Sequence, residues 1–328
     1  MSAPAVDISV VVATRDRAAV LPDALESLAK QRTDGFTYEV LVVDNGSTDD
    51  TARVIEGFAQ RYQGRFRLVR EARPGKPYAV NTGLGQARGS IIALTDDDVI
   101  ADDGWLAAMW RCFQETDAEA ISGPIRPLWV DGRPEWLTDK VMRHLGALGL
   151  ADFGPSRFDV KTYRKHFWWV GSNIGLRREP VRRLGGYDIR LLRAQDTELF
   201  RRYHAAGVRI LYEPAAVVHH KVTRDRLTPD YFRRWYGRTG YFRAFSRPWR
   251  KYHLVTVVPV QWYQEVGRLV VQWWKAGRSE SPFWERLGYE CRLRAALHEW
   301  WHRLRLWPHG VKTVFSNPRQ LHVDVDGP

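Results

Sequence analysis

Cysteine is nearly absent from this chain: Cys112 and Cys291 are the two in 328 residues. Lying far apart, they build neither a disulfide framework nor a metal-ligand spacing. That excludes a disulfide-stapled fold and fits two inert core thiols in a reducing compartment. Acid is in short supply as well. With 38 Asp+Glu against 50 Lys+Arg the formal charge is +12, so the partners to expect are anionic: nucleotide phosphates, acidic lipid headgroups or nucleic acid. Long apolar runs are missing. The most apolar late stretch, residues 254–274, is broken by Gln261, Gln264, Glu265 and Arg268, whereas a spanning helix needs about 20 mostly apolar residues. A transmembrane helix is therefore excluded, and attachment to a membrane surface stays open. The opening MSAPAVDISVVVATRDR shows no basic stretch ahead of an apolar run, so no secretory signal is expected and the protein is placed in the cytosol. Internal repeats and low-complexity segments are absent too.

What is present is a globular composition, 44% hydrophobic, long enough for one large or two ordinary domains at about 100–200 residues each. Ile8 to Ala13 is a largely β-branched run ended by polar residues. Leu21, Leu25 and Leu28 follow at helical spacing, with Pro22 near the helix start. The unit repeats as a strand over Tyr38 to Val43 and a helix over Thr48 to Tyr62, with Val54, Ile55 and Phe58 inward. Phe66 to Arg70 leads through Pro74-Gly75-Lys76-Pro77 into a helix over Ala79 to Ala87, and a strand over Ser90 to Leu94 runs into Thr95-Asp96-Asp97-Asp98. Such alternation predicts an α/β fold with a Rossmann-like, mostly parallel central sheet, helices on both faces and ligands outside the carboxyl ends of the strands.

A helix from about Trp105, strands over Ile121 to Leu128, Arg209 to Tyr212 and Pro214 to His220, and helices over Glu179 to Leu184 and Asp196 to Ala206 read as a second half on the same sheet. The expected division is two halves of one domain, 1–104 and 105–222, then an extension, 223–328. The composition shifts there: residues 222–328 hold 19 Lys+Arg against 9 Asp+Glu, and 9 of the 15 Trp. Leu293, Leu297, Trp300, Leu304 and Trp307 fall on one helical face, with Arg292, Arg294, Arg303 and Arg305 interleaved. Such a face either packs on the preceding domain or lies in a membrane interface.

A buried strand that ends in three carboxylates concentrates like charge. A divalent metal bridging a diphosphate would neutralise it; a cap for the helix near Asp102-Asp103 or a solvated acidic turn are the other readings. Asp44 alone reads as a turn former, and Asp196, at a helix start, as a carboxylate worth about 0.3–1 kcal/mol through the helix dipole. Gly83-x-Gly85 suits close helix packing and misses the dinucleotide fingerprint spacing, which removes the main support for a dehydrogenase. Trp168 and Trp169 either pack in the core or offer aromatic faces to a pyranose. His219 and His220, adjacent in a strand, face opposite sides, so only one can point at a metal.

In their order along the chain these motifs resemble family 2 glycosyltransferases of the GT-A fold, over roughly Ile8 to Lys221. Ala13-Thr14-Arg15-Asp16-Arg17 is similar to the family's nucleotide-contacting first loop, which implies donor contacts for Thr14 and Arg15. Val42-Val43-Asp44-Asn45-Gly46-Ser47-Thr48-Asp49 resembles its second strand and acidic turn, where Asp44 is implied to hydrogen-bond the base. Pro74-Gly75-Lys76-Pro77 with Asn81 and Gly83 resembles the next signature, implying Lys76 and Asn81 at the nucleotide sugar. Asp96-Asp97-Asp98 matches the DxD motif, which implies Asp96 and Asp97 on the donor side, Asp96 at the ribose or in the metal shell, and Asp98 on the metal. The Trp168-Trp169 and Gly171-Ser172-Asn173 segment resembles the loop that lines the sugar and acceptor pocket, which implies roles for Trp168, Trp169, Gly171 and Asn173. Gly185-Gly186-Tyr187-Asp188 with Gln195-Asp196-Thr197-Glu198 resembles the acceptor-side motif in which an acidic pair opens a helix. Here the first acid is Gln195, so the implied catalytic base is Asp196, with Glu198 and Asp188 as substitutes. A metal- or diphosphate-contacting histidine is implied at His220.

The resemblance implies an inverting enzyme of the hexosyltransferase type that uses Mn²⁺ or Mg²⁺ and a nucleotide-diphosphate sugar, a UDP-sugar by default. A saccharide or lipid-linked saccharide acceptor and a role in polysaccharide or glycolipid synthesis go with it. With no second carboxylate placed as a nucleophile, a single displacement is the simpler mechanism, and a positioned carboxylate base supplies about 10²–10⁴-fold. An anionic membrane surface is a further expected partner, which would make the protein peripheral on the cytoplasmic face of the inner membrane. Nucleic acid is not expected, since no nucleic-acid motif occurs. The alternative is a non-catalytic membrane- or nucleic-acid-binding protein on the same scaffold. A nucleotidyltransferase would want a Gly-rich phosphate loop where Thr14-Arg15-Asp16-Arg17 stands.

Overall fold

The computed structural model describes residues 6–33, 35–163, 167–191, 194–246, 260–279 and 281–306. Strands β1 (Ile8–Thr14), β2 (Tyr38–Asp44), β3 (Phe66–Arg70) and β4 (Ile91–Asp96) alternate with helices α1 (Leu21–Ala29), α2 (Thr51–Arg61) and α3 (Lys76–Gln86). Then come β5 (Val99–Ala101), α4 (Trp105–Glu115), β6 (Ala120–Ser122), β7 (Ile125–Trp129), α5 (Asp139–Leu145) and β8 (Phe158–Asp159). β9 (Ile174–Arg177), α6 (Arg178–Leu184), α7 (Gln195–Ala205), β10 (Ile210–Tyr212) and β11 (Val218–Val222) follow. Helices α8 (Pro229–Ser246), α9 (Val260–Ala276) and α10 (Pro282–Leu306) complete the order. Among the described residues these elements form two compact units: residues 6–128 with 149–221, and residues 129–148 with 222–306. The second therefore takes in residues 129–148 as well as the C-terminal helices.

The first unit is built on an eight-stranded sheet, β3-β2-β1-β4-β9-β6-β10-β8. β1 pairs in parallel with β2 and β4, β2 with β3, and β6 with β10, whereas β9 and β8 run antiparallel to their neighbours. Strand alternation divides the core into two layers. Val10, Val12, Val40 and Val42 face α1, α2 and α4 with Leu25, Ile55 and Trp105. Val11, Leu41 and Val43 face α3, α6 and α7 with Val80, Val181 and Tyr203. Helices on both faces are what continuous β-branched strands require. Gly83 explains how closely α3 lies on β1: a Cβ there would sit 2.4 Å from Val11 Cγ1. The roughly 1 kcal/mol that glycine costs a helix is the smaller penalty.

Boundaries differ from the sequence reading where local hydrogen bonds intervene. α2 starts at Thr51, not Thr48, because the Thr48 amide is held by Asp16 and Asp49 accepts from the Thr51 amide. α3 starts at Lys76, immediately after Gly75 at φ +134°. The strand expected over Ile121 to Leu128 is two strands in two sheets. Gly123 and Pro124 break it, and a Cβ at Gly123 would strike the Ala216 carbonyl at 2.0 Å. The last strand starts at Val218 and not Pro214. It joins a second sheet of order β5-β11-β7, in register His219 with Ile100 and His220 with Val99.

In the second unit α10 packs along α8, α9 and α5. Trp136 stacks on Trp284 with centroids 3.5 Å apart, Lys140 pairs with Glu285 at 2.8 Å, and Glu290 bridges Arg233 and Arg294. The face of α10 that is buried carries Leu287, Cys291, Ala295, Ala296 and Glu299. Leu297 and Trp300, on the face singled out in the sequence, are exposed. Trp307 lies outside the described residues, as does the side chain of Leu304. Among the described residues no helix is long and apolar enough to cross a membrane.

Candidate active site

The parallel register brings the ends of three strands together, Thr14 beside Asp44 and Ala13 beside Asp96. Their side chains fasten the rim. Thr14 Oγ1 donates to Asp97 Oδ2 at 2.7 Å, and Arg17 Nε lies 4.0 Å from the same oxygen. Burial raises the Asp97 pKa and the adjacent Asp98 and Asp96 add to the rise, while Thr14 and Arg17 oppose it. Arg15 is exposed on the same loop, with Nε 3.5 Å from Asp16. Asp44 is buried and accepts from the Ser47 amide at 2.9 Å, the turn-forming bond expected of an aspartate there.

Buried Asn45 holds the next segment. Its amide donates to the carbonyls of Glu71 and Arg73 and its carbonyl accepts from the Gly75 amide at 2.7 Å. That clamp delivers Lys76, the first residue of α3, to Asp96 at 2.5 Å.

Asp98, in the turn just before β5, meets His220 of the neighbouring β11, both nearly buried, with Nε2 3.5 Å from Oδ1. His219 turns the other way, to Asp102 at 2.9 Å, as alternation along β11 requires. Among the described residues no group of three His, Cys, Asp or Glu side chains converges. Asp98 and His220 are the pair that could supply two side-chain ligands to a divalent cation, the rest of its ligands then having to come from water or diphosphate oxygens.

Across the rim stands the start of α7. Asp196 accepts from the Thr197 amide at Oδ1 (2.8 Å) and from the Gly171 amide at Oδ2 (3.1 Å). Burial raises its pKa above the ordinary aspartate value, against the two amides and Lys76. Its neighbours are otherwise engaged: Asp188 lies 2.7 Å from Arg190 and Glu198 2.8 Å from Arg202. Gln195 donates to the Leu191 carbonyl at 2.9 Å, a bond that an ionised carboxylate at this position could not make.

Two expected pocket residues, Asn173 and Trp169, and the expected donor residue Asn81 do not present their polar groups to this rim. Asn173 is fully buried, its carbonyl accepting from Trp105 Nε1 and its amide donating to the Pro124 and Ala216 carbonyls. Asn81 spends both ends of its amide on the Tyr187 backbone, at 2.8 Å each. Trp169 is buried against Phe200 and Tyr203, whereas Trp168 is 39% exposed. Gly171 is where backbone must pass: a Cβ there would lie 2.6 Å from Tyr187 Oη and 3.7 Å from Asp196 Cβ.

Tyr187 is the residue the sequence reading missed. Its ring is buried and its phenol pKa is raised by burial, with Lys76 opposing and Asp196 and Asp96 adding to the rise, so it stands among the groups of both halves of the site. Its place in Gly185-Gly186-Tyr187-Asp188 was the available signal, but only the fold shows the hydroxyl meeting Gly171.

Residues 9–185 match the family model described as glycosyl transferase family 2. Among curated proteins, the glucosyl-dolichyl phosphate glucuronosyltransferase of Haloferax volcanii is 28% identical over 252 residues, 73% of this chain and 76% of that protein. The pre-mycofactocin glycosyltransferase of Mycobacterium tuberculosis is 26% identical over 242 residues, 74% of this chain; the match spans only 47% of that relative's length. Among solved structures, the mannosyltransferase PcManGT of Pyrobaculum calidifontis, in complex with GDP-Man and Mn²⁺, superposes with TM-score 0.53 at 20% identity, covering 93% of this chain and 76% of its own. TarS 1–349 of S. aureus in complex with UDP gives 0.53 at 17%, covering 95% and 94%. At such identities the structures establish a shared GT-A fold.

Proposed function

We propose that this chain, which belongs to glycosyl transferase family 2, moves a hexosyl group from a nucleotide-diphosphate sugar to an acceptor hydroxyl with inversion, Asp196 serving as the base. The observation that carries the reading is the state of Asp196. Among the described residues it is in no ion pair, both oxygens are held by backbone amides, and its pKa is raised, while Asp188 and Glu198 are tied to arginines. A base needs just this combination of fixed position and heightened affinity for a proton.

In the proposed step the acceptor oxygen bonds to the anomeric carbon as Asp196 takes its proton. The bond from that carbon to the diphosphate breaks, and its electron pair leaves on the diphosphate. Thr14, Arg15, Asp44, Asp96 and Asp97 line the nucleotide side, and Lys76 brings a positive charge to Asp96 at the junction. A divalent ion, Mn²⁺ or Mg²⁺, would sit at Asp98 and His220 and supply charge to the leaving diphosphate; the Mn²⁺ in the PcManGT complex supports this. Imidazole favours Mn²⁺. A UDP-sugar is the default donor. A lipid-linked saccharide presented at an anionic membrane surface is the acceptor class that the glucosyl-dolichyl phosphate relative and the basic C-terminal sequence support.

The test is equilibrium binding and hydrolysis of UDP-, GDP- and dTDP-sugars with and without Mn²⁺. We expect metal-dependent binding of one donor, weakened at least tenfold in Asp98→Asn. Absence of binding to every donor, with or without metal, overturns the proposal in favour of a non-catalytic binding protein.

A further inference from the structure

Helix α9 carries two apolar stripes where a surface helix of a globular protein needs one. At 100° per residue Trp262, Val266, Leu269, Trp273 and Ala276 share a face. Trp262, Leu269 and Ala276 are buried, and Trp262 Nε1 donates to the Ala296 carbonyl of α10 at 3.1 Å. That stripe seats the helix. Tyr263, Gly267, Val270 and Trp274 follow at i, i+4, i+7 and i+11, about 100° round the helix, with Val271 beside them. Tyr263 is 44% exposed, Val270 50%, Val271 51% and Trp274 57%.

Basic groups border this second stripe. Arg268 and Lys275 are exposed on its far edge, and the Arg278 guanidinium lies 4.7 Å from the Trp274 ring centroid. An aromatic and aliphatic stripe edged by cations fits the boundary between acyl chains and anionic headgroups, the aromatic rings at headgroup level and the cationic stems reaching for phosphate. Seventeen residues span about 26 Å, and the helix carries Glu265, Arg268 and Lys275, so it lies in the interface and does not cross it. A second copy of the chain is the poorer occupant. Residues 222–328 hold 19 Lys+Arg against 9 Asp+Glu, a net +10 on each copy that disfavours self-association relative to an anionic surface.

We infer that α9 docks the protein on anionic lipid through Tyr263, Val270, Val271 and Trp274. The inference rests on the lipid-side part of the function proposed above and assigns α9 a docking face of its own. The experiment is flotation of the full chain with phosphatidylcholine vesicles, with and without phosphatidylglycerol, comparing wild type, Val270→Asp/Trp274→Asp and Arg268→Glu/Lys275→Glu, with hydrolysis of a UDP-sugar as a separate readout. Wild type should float with phosphatidylglycerol vesicles alone. The apolar-stripe variant should lose at least about tenfold in vesicle affinity with donor hydrolysis unchanged, and the charge-reversal variant should lose the phosphatidylglycerol dependence. Wild type that floats with neither vesicle, or an apolar-stripe variant that floats like wild type, overturns the inference. So does a lipid-free dimer that this variant dissolves. Flotation that is intact in a protein hydrolysing no donor supports the docking face and sinks the enzymatic reading alone.

Discussion

Gly171 gives the sharpest quantitative test of the site. Alanine there adds one methyl, and its Cβ would lie 2.6 Å from Tyr187 Oη, about 0.8 Å inside ordinary contact. Neither neighbour can retreat freely. Tyr187 is buried and its backbone is held at both N–H and C=O by Asn81. If the 171 loop moves instead, its amide withdraws from Asp196 Oδ2, and 3.1 Å grows to about 4 Å, beyond hydrogen-bond reach. Overpacking of this kind costs about 1–3 kcal/mol, and misplacing the proposed base by nearly an ångström costs about 10²-fold in turnover.

Gly171→Ala should therefore unfold about 1–3 kcal/mol more easily in urea and lose about 10²-fold in kcat. Asp196, deprived of one amide that favours its charged form, should show its acid limb at higher pH still. The double variant Gly171→Ala/Tyr187→Phe separates causes. Deleting the phenol oxygen opens the space the new methyl needs, so the stability loss should fall well below the sum of the single losses, while kcat recovers only as far as Tyr187→Phe alone allows. Gly171→Ala with wild-type stability and turnover would refute the geometry, and additive losses in the double variant would refute the clash as their cause.

As the proposed base, Asp196 can take a proton only when ionised, so kcat should fall as pH drops through a value above the ordinary aspartate pKa of about 3.9. Asp196→Asn should keep donor binding, lose about 10²–10⁴-fold in kcat and lose that limb. Because the folded-state pKa is raised, the carboxylate adds stability below its unfolded pKa and forfeits it above the folded one, so the Asn variant should be no less stable than wild type at pH 7. Glu71 has the opposite sign. Hydrogen bonding to Arg73, with help from Thr82, lowers it from 4.5 to about 2 despite burial. Its contribution is complete above pH 4.5 and fades towards pH 2. Glu71→Gln should cost about 1–3 kcal/mol at pH 7, nearer the lower end because Arg73 is exposed, and the gap in urea denaturation should close on acidification.

The strand and helix order of the first unit was legible because its strands are short runs rich in β-branched and apolar residues and its helices repeat every three or four residues: β1, β2 and β3 emerge within one residue of expectation. Misplaced edges lie where a side chain outbids the backbone. Asp49 delays α2, and the approach of Gly123 to the Ala216 carbonyl divides a strand that apolar character alone would continue. On α10 the period was legible, and of the two readings left open for the Leu293, Leu297 and Trp300 face, packing on the preceding domain is the one the exposure of Leu297 and Trp300 disfavours. Small Cys291, Ala295 and Ala296 let the neighbouring helices close in, and the larger Leu297 and Trp300 are left outside.

The site shows the same division at the level of single side chains. Sequence spacing offers three carboxylates around one helix start, Asp188, Asp196 and Glu198, and no periodicity ranks them. Ranking needs their partners. Arg190 and Arg202 lie two and four residues from the acids they neutralise, spacings equally open to surface ion pairs, yet Asp188 and Glu198 are both almost fully buried. A buried carboxylate with an arginine on it makes a poor base, since the same charge that holds it in place lowers its affinity for a proton. Asp196 is held by amides instead, which fix its position at a smaller cost in basicity and leave burial to dominate. The Gly171 amide that holds it comes from 25 residues earlier in the sequence and the Tyr187 phenol beside Gly171 from 9 earlier, an arrangement that no local pattern encodes.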